Sequence, residues 1–253
     1  MNMRVAKPLL FALALFETPA LFAQTPSEDL MKAIYAGNAK QAAVLLQVGA
    51  DPNTRDEMTQ PAISAAAYMG QETIVRLLLS RGADLRAADV DGFNALHAAA
   101  MTGRTRIVQL LLESGMDVNQ RGRTDGMTPL AYVTVRSHLP VMRLLLRQSA
   151  DANLADSGGN SPLLHAAMRG RDEVTALLLA QSADVNQTSA HGWTPLMAAA
   201  WGGRTDCVRQ LLKRGADTDR LNHQHQSALA LAQSEGHKAV VTLLGLKRRT
   251  VAM

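Results

Sequence analysis

This 253-residue chain is poor in several residue types at once. It has one cysteine, only nine aromatic side chains (four Phe, two Trp, three Tyr) and a small net charge of +4 from 26 basic and 22 acidic residues. A lone cysteine, Cys207, excludes an internal disulfide. It stands where comparable segments carry Ile74, Ile107, Val141 and Val174, which reads as a small buried hydrophobe and not as a reactive thiol. The weak, mixed charge lacks the clustered basic residues that track phosphates, so nucleic acid is not an expected partner. The apolar run Pro8 to Phe16 is far short of the ~20 residues needed to cross a bilayer. There is no nucleophile elbow, no phosphate-cradling glycine loop, no His-Glu-x-x-His and no Cys–His pairing, so neither catalysis nor a cofactor is expected.

What the chain has instead is repetition. Gly49-Ala50-Asp51 returns as Gly82-Ala83-Asp84, Gly115-Met116-Asp117, Ser149-Ala150-Asp151, Ser182-Ala183-Asp184 and Gly215-Ala216-Asp217, at steps of 33 residues with one step of 34. A period in this range marks a stacked-repeat solenoid, whose working part is an open surface and not an enclosed pocket. Out of phase with it run Thr128-Pro129-Leu130, Ser161-Pro162-Leu163 and Thr194-Pro195-Leu196, with weaker copies at Pro61-Ala62-Ile63, Asn94-Ala95-Leu96 and Ser227-Ala228-Leu229. A hydroxyl at the N-cap and proline at the first helical position predict a helix start. Small residues follow, as in Ala65–Ala67, Ala98–Ala100 and Ala198–Ala200, and a glycine or its substitute Ser137 ends this first helix. A second helix is predicted from the leucine row, for example Leu77–Leu79, Leu110–Leu112 and Leu144–Leu146.

Asp91 to Ala100, closing on Gly115-Met116-Asp117-Val118-Asn119, resembles the ankyrin repeat, and so does His191 to Leu196 closing on Gly215-Ala216-Asp217. The resemblance covers nearly all of the chain after residue 26. It implies an all-α solenoid of about seven helix-turn-helix repeats with β-hairpin-like fingers, set at 23–55, 56–88, 89–121, 123–155, 156–188, 189–221 and 222–253, with Gly122 as the extra residue. Repeat 123–155 is atypical, because Tyr132-Val133-Thr134 replaces the alanines and Pro140 falls early in its second helix; a local distortion without a break is expected there. The recurring Asp51, Asp84, Asp117, Asp151, Asp184 and Asp217 read as structural loop residues.

Residues 1–23 read differently from the domain at 24–253. Arg4 and Lys7, the apolar stretch Pro8 to Phe16 and the small residue Ala23 follow the order of a secretory signal peptide cut after Ala23. Export to a bacterial periplasm is the expected destination, in line with a resemblance to bacterial secreted ankyrin-repeat proteins; some of those are linked to peroxide protection alongside catalase. After signal cleavage no stable membrane insertion is expected, and the chain is taken as a monomer.

In such a stack the finger tips and the outer side of each first helix line a concave face. Two slots report on it. The slot after the finger glycine holds Gln60, Phe93, Met127, Asn160, Trp193 and Gln226; the slot two residues before the first-helix glycine holds Tyr68, Met101, Val135, Met168, Trp201 and Ser234. Trp, Tyr and Met collect at interface cores, which makes Tyr68, Phe93, Met101, Met127, Met168, Trp193 and Trp201 the candidate protein-binding residues. The competing reading is that Phe93, Trp193 and Trp201 pack against neighbouring fingers. Arg104, Arg136, Arg169, Arg171 and Arg204 flank the stripe and could steer an acidic partner. A second function class, a metal-binding or redox-buffering protein, would use surface methionines or the finger histidines His191, His223 and His225. His97 fills the family's histidine slot and is expected to bond across a turn, whereas His165 lies one residue beyond the matching slot.

Overall fold

The computed structural model describes residues 25–251; the expected leader lies outside the described residues. They form fourteen helices in seven antiparallel pairs. The first helices are α1 (Pro26–Tyr35), α3 (Ala62–Met69), α5 (Ala95–Met101), α7 (Pro129–Arg136), α9 (Pro162–Arg169), α11 (Pro195–Trp201) and α13 (Ala228–Ser234). The second helices are α2 (Ala39–Gln47), α4 (Glu72–Ser80), α6 (Thr105–Glu113), α8 (Leu139–Arg147), α10 (Asp172–Ala180), α12 (Thr205–Lys213) and α14 (Lys238–Val251). Among the described residues there is no strand, only the isolated bridges Arg55–Pro61 and Ala88–Asn94 at two finger bases.

Local chemistry sets the helix ends. The side chains of Thr128, Ser161, Thr194 and Ser227 accept amides in the first turns of α7, α9, α11 and α13, and Asn94 does so for α5. The first helices α3, α7 and α9 stop on a left-handed residue, Gly70, Ser137 and Gly170. Gly170 has a second reason to lack a side chain: a Cβ there would meet Arg204 Cδ at 2.6 Å. Ser137 holds the same conformation at φ 63°, a region that L side chains adopt at some strain.

Two rows of side chains form the core. Ala66, Ala67, Ala98–Ala100, Ala166, Ala167 and Ala198–Ala200 are fully buried, so successive first helices approach closely. Leu78, Leu111, Leu145, Leu178 and Leu211 fill the space behind them, also fully buried. First helices pack against one another more extensively than second helices do, so the row of first helices lies on the inside of the stack's curve. In the atypical repeat Val133 and Thr134 are buried where neighbours place alanine, and the Thr134 hydroxyl is satisfied by the Leu130 carbonyl at 2.9 Å. Pro140 sits at the start of α8, which runs unbroken.

Repeats are joined by ladders of polar bonds. In the loops, each Asp carboxylate folds back on an amide two residues ahead, as Asp51 does on Asn53 and Asp184 on Asn186. Its own amide reaches back one repeat, from Asp84 to Asn53, Asp151 to Asn119, Asp184 to Asn153 and Asp217 to Asn186, at 2.7–2.9 Å. Asp51 reaches Ser27 in the same sense. The fingers are held by Asp56, Asp89, Asp156, Ser189 and Asn222, each accepting two amides of its own turn. The 34-residue step falls in one finger. Gly122 takes the place of the capping residue, its amide closes on Met127 one residue further than in the others, and Asp125 supplies the carboxylate.

Candidate functional site

The slot two residues before the first-helix glycine lies on the outer side of the row of first helices. Tyr68 and Trp201 are each 43% exposed there, and Met101 and Met168 are half-buried. The slot extends one repeat further than sequence reasoning took it. Tyr35, two residues before Gly37, is 45% exposed, and the signal was the same spacing applied to the first repeat. Its hydroxyl donates to the Asp56 carboxylate of the next finger, and burial together with that bond and charge pushes its pKa up to about 12.

The finger slot is more enclosed. Phe93 and Trp193 pack against the core while keeping part of each ring exposed, so their structural reading holds in part. Phe93 stacks on His97 and meets Tyr132 edge-on at 5.4 Å; Trp193 meets Trp201 edge-on at 6.0 Å. Met127 is half-buried and its carbonyl accepts from His97. The structure therefore brings Trp193 and Trp201 into one patch and places Tyr35 and Tyr68 along the same row toward the first repeat.

The arginines divide into two groups. Arg136 and Arg169 end α7 and α9, exposed beside the stripe. Arg104, Arg171 and Arg204 cap second helices, in the slot that Gln71, His138 and His237 fill in other repeats. Those three reach back to the preceding first helix: Gln71 to the Ile34 carbonyl at 2.6 Å, His138 to Met101 at 3.0 Å and His237 to Trp201 at 2.9 Å. Arg104 lies over Gly70 as Arg204 lies over Gly170, close enough that a Cβ on Gly70 would sit 2.7 Å from Arg104 Nε. They belong to the seam between repeats as much as to its rim.

His97 donates through Nε2 to the carbonyls of Gln120 and Met127 at 3.0 and 3.2 Å, which ties the third repeat to the next finger. His165 pairs instead with Asp156 of its own finger at 2.8 Å. An Asp–His pair would suit general-base chemistry, but the other ring nitrogen of His165 faces Arg169 at 3.4 Å and not a hydroxyl or thiol. Burial lowers the pKa of both histidines, outweighing the carbonyls at His97 and the carboxylate at His165. Burial works against ionisation of Asp156, yet the Asn160 amides and His165 hold it below its ordinary value.

All three shifts have one sign. Each histidine is neutral when folded and takes up a proton more readily when unfolded, so its contribution is complete above the unfolded pKa of about 6.5 and declines as pH falls through that value. Asp156 adds a loss of the same sign at lower pH. The melting temperature should therefore drop between pH 7.5 and 5, and His165→Gln, whose amide can keep the bond to Asp156, should flatten part of that slope in pH-dependent thermal unfolding. A wild-type profile that is level over this range would contradict it.

Cys207 is fully buried in α12, its thiol within 3.0 Å of Asp172 Oδ1 and 3.5 Å of the Thr175 hydroxyl. Burial, then the Asp172 carboxylate, raise its pKa to about 12, so it stays protonated and unreactive. The finger histidines do not converge. The His223 ring lies over Gly192, His225 occupies the left-handed turn position, and among the described residues no three His, Cys, Asp or Glu side chains are placed to share a metal ion.

A family model described as ankyrin repeats matches three times, over residues 30–122, 119–189 and 176–250. The chain belongs to the ankyrin-repeat family. Among solved structures it is similar to the ankyrin repeat domain of Bcl-3, a protein described as a unique member of the IkappaB protein family. The two are 28% identical with a TM-score of 0.75, and the match covers 88% of this chain and 98% of that one. No curated protein matches the chain. Ankyrin repeats generally mediate protein–protein contacts and are not in general catalytic. Among the described residues, no helix is long and apolar enough to cross a membrane.

Proposed function

We propose that this ankyrin-repeat chain is a non-catalytic scaffold that binds a client protein on the face formed by its first helices and fingers. One observation carries the reading: Tyr35, Tyr68 and Trp201 occupy the same slot of different repeats and each leaves over two-fifths of its surface in water. A solvated slot has no reason to collect large apolar rings, and such anchors dominate binding at protein interfaces. Arg136 and Arg169 border the row, which favours a client presenting acidic residues around an apolar centre.

The proposal extends to place and role. Arg4, Lys7, the run Pro8 to Phe16 and Ala23 support export with cleavage after Ala23, and hence a periplasmic client, with protection against oxidative stress as the physiological setting. Immobilised chain should retain a specific protein from a periplasmic extract, and Tyr68→Ala with Trp201→Ala should release it while the circular dichroism spectrum is unchanged. Equal retention by wild type and double variant would remove the proposed face. N-terminal sequencing of the exported chain tests the cut: a first residue other than Gln24 moves it, and an intact leader refutes it.

A further inference from the structure

The loop ladder is interrupted at one junction. The position that carries Asn53, Asn119, Asn153 and Asn186 in four other repeats is Arg86 in the second repeat. Among the described residues the Asp117 amide, alone of those at Asp84, Asp117, Asp151, Asp184 and Asp217, makes no bond to the preceding repeat. A second tie fails at the same place. Arg55 reaches across to the Ala88 carbonyl of the next finger at 2.7 Å, and Arg121 reaches the Ala155 carbonyl in the same manner. Between those two arginines the equivalent residue is Ala88, too short to reach the finger beyond it.

Where both ties are missing, the structure opens a cavity of about 660 Å³ lined by the second and third repeats and by Arg123 of the fourth. Arg86, Arg121 and Arg123 line it, with Asp117 the one acidic residue. Arg86 and Arg123 are exposed, and among the described residues neither is in a salt bridge. The Asp117 carboxylate is engaged with the Asn119 amide at 2.9 Å. Guanidinium groups bind carboxylates and phosphates through paired, charge-assisted hydrogen bonds, and a main-chain amide without a partner is a further donor for an oxyanion. None of the exposed aromatic residues of the proposed client-binding face lines this cavity.

We propose that this cavity is a binding site for a small dianion of the oxyanion class, a phosphate monoester or a dicarboxylate, held by Arg86 and Arg123 with Arg121 behind them and the Asp117 amide as a further donor. A dianion matches three guanidinium groups and one carboxylate, and the volume lies within the range of small-ligand sites.

The test is thermal unfolding and isothermal titration at low ionic strength, with inorganic phosphate and succinate as separate probes. Wild type should be stabilised in a saturable manner by at least one of them. Arg123→Ala should weaken that binding about tenfold, the scale of one charged hydrogen bond. Arg86→Asn restores the residue that ties the other junctions; it should melt higher than wild type without ligand and lose the response to it. Lys213→Ala removes the same charge from α12 and should leave the response intact. A response to phosphate alone or to succinate alone supports the site and assigns its ligand. Non-saturable stabilisation, equal effects in Arg86→Asn and wild type, or no binding of either probe would overturn it.

Discussion

Leu111→Ala is expected to destabilise the protein by about 2–5 kcal/mol, the range for removing a fully buried leucine and leaving a partly collapsed cavity. Leu111 sits in α6 of the third repeat with none of its surface exposed. In a stack each repeat contacts only its neighbours, so stability is a sum of repeat terms and interface terms. The lost methyl groups therefore weaken the third repeat itself and with it the link between the two ends of the stack. Urea unfolding followed by circular dichroism should show a lower midpoint and a broadened or split transition, as the two ends of the stack uncouple. Leu244→Ala is the matched control. That residue is also buried, in the last described helix, and among the described residues it has a neighbouring repeat on one side. Its loss should fray the end and leave the main transition nearer its original midpoint. An unchanged midpoint for Leu111→Ala would refute the account of the core.

The sequence carried the architecture because each repeat restates it. Thr128, Ser161 and Thr194 before proline marked helix starts, Gly70 and Gly170 marked stops, and Ser137 was legible as a stand-in because the register required a left-handed residue there. Cys207 was legible for the same reason, since its column holds Ile74, Ile107, Val141, Val174 and Val240 in the repeats around it. The candidate site was legible by column but not by degree of exposure. Spacing puts Trp193 and Trp201 on one face, yet it cannot say that the first rests on the core and that the second stands in water. The arginines show the limit more sharply. Arg104 and Arg204 look like rim charges in the sequence; only the placement of Gln71, His138 and His237 in the same slot shows that it belongs to the seam. The Arg86 cavity was hidden because it arises from two ties missing at once in different columns.

Trp201→Ala should separate binding from folding more cleanly than any other change on this face. With over two-fifths of its surface in water, the ring gives up less burial when removed than a core aromatic would. Its one ring partner in the fold is Trp193 at 6.0 Å, and such an aromatic pair is worth about 0.5–1.5 kcal/mol. Melting should fall by only a few degrees. Client binding, by contrast, should lose about 2 kcal/mol or more, roughly a thirtyfold rise in Kd, if this ring is a central anchor. Trp193→Ala should behave in the opposite proportion, because that ring packs against the core and supports the finger from which it projects. The double variant completes a cycle. Two rings that act as one binding surface give a combined loss of affinity different from the sum of the single losses, whereas independent contacts add. Calorimetric titration of the captured client against all four proteins reads this directly. If Trp201→Ala melts as low as Trp193→Ala and binds as well as wild type, the ring is structural and the client-binding face lies elsewhere.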